Sequence, residues 1–153
     1  MTLNSEITMI RAFFYWCVEF KGLRENSAAN IKPRKVIEKP PTVYTDMEIE
    51  RMLHVADSTE QAILLTFLYT GIREQELCYL TWDDIDLKKK VLRISAKPEE
   101  GFTPKTWEER LIEMSDRLVE AIKTQPATSR WVFPTVRGKR HAHIYKIVER
   151  VAK

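Results

Sequence analysis

From Glu60 to Tyr69 the chain is nearly all apolar, and Thr70-Gly71 then ends the run. Such a stretch reads as a helix buried on most sides, stopped by a glycine that takes the left-handed conformation cheaply. Directly after the break, Arg73 opens a second helix that reaches Leu80. A cation at a helix start opposes the helix dipole. A bound anion would reconcile the two, because the first amides and the guanidinium would both point at its oxygens. Glu76, one turn on at i+3, can hold the guanidinium plane, although the same spacing also suits an ordinary exposed ion pair.

A buried helix needs surfaces around it, and the flanking sequence supplies them. Ile7 to Phe20 carries Ile10, Phe13, Phe14, Cys17 and Val18 at amphipathic helical spacing, ended by Lys21-Gly22. Asn30 to Val43, with Pro33, Pro40 and Pro41 among charged residues, has linker composition. Thr45-Asp46-Met47-Glu48 has the form of a capping box, and the helix that follows should turn Ile49, Met52, Leu53 and Ala56 inward. Asp84 to Leu87, Val91 to Ser95 and Arg110 to Met114 read as three short strands. A tight turn at Lys88-Lys89-Lys90 and a loop from Lys97 to Glu108 join them. Asp116 is the expected cap of a helix through Leu118, Val119 and Ile122. Trp131 to Pro134 is extended and apolar, and a last helix aligns Ile144, Ile147, Val148 and Val151. The expected fold is therefore mainly α with a small three-stranded antiparallel sheet.

Charge narrows the function less than pattern does. A net charge of +3 over 153 residues does not by itself call for nucleic acid. Its distribution is more pointed: Lys32, Arg34, Lys35 and Lys39 cluster in the linker, and Arg137, Lys139, Arg140, Lys146, Arg150 and Lys153 near the end. Clustered cations suit a polyanion, because neutralising phosphates releases counterions; they equally suit a solvated surface. Cys17 and Cys78 form neither a disulfide framework nor a metal set and read as buried thiols in a reducing compartment. No run is long and apolar enough to span a membrane, and no signal peptide precedes the first helix, so a cytoplasmic location is expected.

The Thr70-Gly71-Ile72-Arg73-x-x-Glu76-Leu77 core, followed by Leu80-x-Trp82-x-Asp84-Ile85-Asp86, resembles the first active-site box of tyrosine site-specific recombinases, the phage integrase family. The resemblance implies that Arg73 binds the scissile phosphate, with Glu76 as its support. Glu74-Gln75 departs from the smaller or neutral residues expected there. The family also uses a lysine on the sheet hairpin as general acid toward the leaving 5′-hydroxyl. Lys105, in a Lys-Thr-x-x-x-Arg pattern ahead of an apolar strand, matches that position, with Lys97 as the alternative. Ile112-Glu113-Met114 departs from the usual Val-Pro-Leu. Phe13-Phe14-Tyr15-Trp16, Asn26 and Lys32-Pro33-Arg34-Lys35 look like the end of a core-binding domain and its linker.

The resemblance implies residues 1–31 as the end of a helical core-binding domain, 32–44 as a basic linker and 45–153 as the N-terminal part of a catalytic domain. Its partner would be double-stranded DNA, contacted in part by Lys32, Arg34, Lys35, Arg137, Lys139 and Arg140. The full enzyme would act as a homo-oligomer on DNA, with no metal, nucleotide or other cofactor. A second arginine in a His-x-Leu-Arg-His box, a further His or Trp, and a tyrosine nucleophile are not found, and Tyr145 is poorly placed for that role. The expectation is a recombinase fragment inactive on its own. Two alternatives stand beside it: a non-catalytic DNA-binding module, and a helical interaction domain using the Phe13/Phe14/Val18 stripe.

Overall fold

The computed structural model describes residues 2–36, 40, 41 and 43–153. Met1, Ile37 to Lys39 and Thr42, the last four within the expected linker, lie outside the described residues. The backbone divides into two units, Met1–Val43 and Tyr44–Lys153.

In the first unit, α1 (Leu3–Lys21) starts at Thr2, whose hydroxyl accepts from the Ser5 amide, and stops at Gly22 with φ 71°. Leu23 N–H closes the last turn on Cys17 O at 3.3 Å. The expected stripe is rotated in part. Ile7, Phe14, Cys17 and Val18 are half-buried, whereas Ile10 and Phe13 are exposed. Phe13, Trp16 and Phe20 instead form an outward ladder with neighbouring ring centroids 6.3 and 6.0 Å apart. Cys17 is thus only half-buried, while Cys78 is buried. Asn26 donates to Arg11 O, and Asn4 exchanges two hydrogen bonds with the Arg34 backbone at 2.8 and 2.7 Å, which ties residue 34 back to the helix.

The second unit runs α2 (Asp46–Val55), α3 (Ser58–Thr70), α4 (Glu74–Cys78), β1 (Ile85–Asp86), β2 (Val91–Ile94), β3 (Arg110–Glu113), α5 (Asp116–Lys123) and α6 (Tyr145–Val151). Short 3-10 turns lie at Trp82–Asp84 and Pro98–Glu100. The strands form an antiparallel sheet in chain order, with Leu92 opposite both Ile85 and Ile112. Both halves of the Thr45/Glu48 capping box are present, and a second box joins Asp57 and Glu60 at the start of α3. One helix start differs from expectation. Ser115, not Asp116, caps α5, because its hydroxyl reaches the Leu118 amide while Asp116 turns outward to Lys90.

α3 lies against α2, α5 and α6. Its Ala62, Ile63, Leu65 and Thr66 are buried, but Leu68 and Tyr69 near its end are exposed, so the helix is less enclosed than its composition suggests. Ile63, Leu77, Leu80, Leu92, Leu118, Ile122, Phe133 and Ile144 form the dry centre. Among the described residues, no helix is long and apolar enough to cross a membrane.

Candidate active site

Gly71, at φ 58°, ends α3 and turns the chain so that Ile72 enters the core. Arg73 follows as the N-cap of α4, with extended backbone. Leu77 and Cys78 anchor the other side of this single turn in the core, and burial pushes the Cys78 thiol up. The Arg73 side chain therefore points away from the core and is half-exposed, and its Nη1 donates to Glu76 Oε1 at 3.1 Å. Its backbone N–H donates to Glu76 Oε2 at 2.9 Å. Glu76 thus folds back over the helix start and satisfies an amide there, as in a capping box.

The Glu76 carboxylate is 2% exposed and serves a second cation. Arg110, at the start of β3, donates Nη1 to Oε1 at 3.0 Å and Nη2 to Oε2 at 2.7 Å. Burial raises the Glu76 carboxyl pKa, but hydrogen bonds from Arg110 and Arg73 outweigh it and hold the group below the usual carboxylate range. The same pair moves the Arg110 guanidinium upward.

Lys105 sits on the loop between β2 and β3. Ahead of it, Lys97 and Phe102 exchange backbone hydrogen bonds of 2.9 and 3.0 Å around the turn at Pro98–Glu100. Pro104 is buried, and Trp107 N–H donates back to Pro104 O at 2.9 Å, so Lys105 and Thr106 form the middle of a turn. Trp107 has φ 58°, a conformation costly for a bulky residue, and is 83% exposed. A cleft of about 460 Å³ opens between this loop and α4, lined by Arg73, Glu74, Gln75, Glu76, Tyr79, Phe102 and Lys105 among others. Arg73, Glu76 and Lys105 therefore meet in one place. In one wall Phe102 stacks on Tyr79 at 4.4 Å, and the Arg140 guanidinium, outside the lining, lies 4.0 Å from the Tyr79 ring centre.

The other expected residues are placed differently. Lys97 is buried, and its ammonium lies 2.8 Å from Asp84 Oδ2, so this lysine is already paired. Lys32, Arg34 and Lys35 are exposed in the first unit. Arg137 and Lys139 are exposed on a turn closed by Thr135 N–H to Lys139 O at 2.7 Å. Arg140 departs from that group: it is half-buried, stacked on Tyr79 and bonded to His141 O at 2.8 Å. Tyr145 is half-exposed on α6, with its ring edge-to-face to Phe67. Among the described residues, no group of three or more His, Cys, Asp or Glu side chains is placed to hold a metal.

Two residues that depart from the familiar box have structural partners. Glu74 Oε1 accepts from Tyr145 N–H at 3.1 Å, at the start of α6, and lies 3.8 Å from His143 Nδ1. Gln75 donates to Ala142 O at 3.4 Å. Arg110 also belongs to this site, and the sequence marks it only by its place in the Lys-Thr-x-x-x-Arg spacing.

The family model described as the phage integrase family matches residues 42–153. The tyrosine recombinase XerA of Thermococcus kodakarensis is 34% identical over 94 residues, covering 60% of this chain and 32% of the relative. XerA of Pyrococcus horikoshii is 28% identical over 144 residues, covering 91% and 46%. A lambda integrase dimer bound to a COC′ core site superposes with a TM-score of 0.75 at 14% identity, over 97% of this chain and 56% of that one. The chain thus spans about a third to just under a half of the length of these curated relatives.

Proposed function

The chain belongs to the phage integrase family, and from that premise we propose that it carries part of the DNA strand-exchange machinery of a tyrosine recombinase. Residues 45–153 form the N-terminal part of the catalytic domain, 32–44 a basic linker and 1–31 the end of the core-binding domain. The protein acts in the cytoplasm on double-stranded DNA, and the whole enzyme assembles as a homo-oligomer there.

In the whole enzyme, a tyrosine oxygen attacks phosphorus, the bond to the 5′-oxygen breaks, and a 3′-phosphotyrosine and a free 5′-hydroxyl result. Arg73 binds the phosphoryl oxygens, where loss of one such donor costs on the order of 10²–10³ in rate. Glu76 holds that guanidinium, and Lys105 gives the leaving oxygen its proton. Lys32, Arg34, Lys35, Arg137 and Lys139 contact the backbone, with Arg140 doing so only from its stacked position. None of Tyr15, Tyr44, Tyr69, Tyr79 and Tyr145 serves as the nucleophile, so the 153-residue chain binds DNA without cutting it.

The observation that carries this reading is the convergence of Arg73, Glu76 and Lys105 on one cleft. Of the four charged residues that line it, the Glu76 carboxylate is buried against Arg110 as well as Arg73, which leaves the exposed Arg73 and Lys105 side chains to meet an anion. The test is binding of the 153-residue chain to duplex DNA across a salt series. Arg73→Ala is expected to weaken binding and reduce the salt slope by about one. No binding at low salt, or an unchanged slope, would count against the assignment. A covalent adduct formed on a nicked duplex would refute the claim that this chain alone does not cleave.

A further inference from the structure

Glu76 holds two guanidinium groups on one buried carboxylate, and only Arg73 lines the cleft. We propose that Arg110 is a positioning residue that keeps Arg73 open to a phosphate. The proposal rests on the reading of Arg73 as a phosphate ligand.

Arg110 makes the fork, covering Oε1 and Oε2 at 3.0 and 2.7 Å. A bidentate guanidinium–carboxylate pair is planar and geometrically fixed, so the fork sets the plane of the Glu76 carboxylate. Arg73 is left with one side-chain bond, at the longer 3.1 Å. A guanidinium has five N–H donors, and this one keeps 48% of its side-chain surface exposed. Most of its donors thus remain available to an incoming anion. With Arg110 gone, the buried carboxylate would face Arg73 alone. Its charge would draw that guanidinium into a bidentate pair of its own, turned away from the cleft.

The position of Arg110 in the sheet adds a second effect. It is the first residue of β3, paired with Ile94 at the end of β2. The fork therefore ties the far end of the Lys105 loop to α4, so one residue restrains both the helix behind Arg73 and the loop that carries Lys105.

The experiment is a double-mutant comparison on the 153-residue chain with a fluorescent duplex oligonucleotide, read as affinity and salt slope alongside melting temperature. Arg110→Gln is expected to reduce the slope by about 0.9, one phosphate's worth of released counterions. Arg73→Ala should do the same, and the double variant should lose no more than either single one. A loss in the double variant worth two phosphates would make Arg110 a phosphate ligand itself and overturn the proposal. An unchanged slope with a lowered melting temperature would make it a purely structural clamp, which also overturns it. If Arg73→Ala alone leaves the slope unchanged, the phosphate-ligand reading fails and the proposal falls with it. Where Arg110→Gln does not fold, Arg110→Lys takes its place. An ammonium keeps the charge but cannot fork, so a wild-type slope in that variant would sink the geometric argument.

Discussion

The Lys97 ammonium lies 2.8 Å from Asp84 Oδ2 with both side chains buried, at 8% and 2% exposure. Asp84 also accepts from Thr81 N–H and from the Thr81 and Ser95 hydroxyls, at 2.9, 2.7 and 3.0 Å. The pair thus pins the end of β2 to the turn before β1. Removing one member of a buried ion pair strands the other charge, whereas removing both does not. Lys97→Met is expected to lower stability by about 3–5 kcal/mol, and Asp84→Asn in the same chain to recover much of that loss. Urea denaturation of the single and double variants checks both.

Lys105 should behave in the opposite way. Its side chain is exposed on a turn, so Lys105→Ala is expected to change stability by less than about 0.5 kcal/mol while weakening DNA binding. A stability loss matching that of Lys97→Met would reverse the roles given to the two lysines.

Two buried carboxylates contribute to the acid limit. For both Asp84 and Glu76, burial raises the pKa, but hydrogen bonds outweigh it and leave the group below its ordinary value: from Lys97 and Thr81 to the first, and from Arg110 and Arg73 to the second. A depressed folded pKa contributes stability that is complete above the unfolded value, about 4 for a carboxylate, and is lost as pH falls through the folded one. Unfolding free energy should therefore hold its contribution from these groups between neutrality and about pH 5, and fall below about pH 4. Asp84→Asn and Glu76→Gln should each flatten that acid slope, as denaturation measured across pH would reveal.

Glu74 supplies the acceptor for the Tyr145 amide at the start of α6. Glu74→Ala is expected to cost about 1 kcal/mol, the usual cost of a lost cap. Gln75→Ala, whose hydrogen bond is 3.4 Å long, should cost less. Thermal unfolding of the two variants ranks them.

What was legible in the sequence was local. The Thr45/Glu48 capping box, the glycine stops at Gly22 and Gly71, and the three strands depend on neighbours within a turn or a hairpin. The box at Asp57 and Glu60 has the same spacing, masked only by the apolar run that starts at Glu60. Asp116 was the wrong cap because Ser115, one residue earlier, competes for the same amide. Long-range partners left no such mark. Arg110 meets Glu76 across 34 residues, and the Asp84–Lys97 pairing that removes Lys97 from the cleft depends on sheet register. Likewise Glu74 and Gln75 read as departures from a pattern until their partners, 71 and 67 residues away, are in view.

α4 is only five residues long, too short to hold a helical shape unaided. Its clamps come from β3 and from the chain around Ala142 to Tyr145. Loops of this length must close before such clamps can act. We predict that the turn bearing Arg73 takes its shape only once those partners are in place. Substitutions in α4 should then speed unfolding while leaving the refolding rate nearly unchanged. A chain in which these contacts had not closed would lack both Leu77 and Cys78 in its interior and the cleft that Arg73 lines.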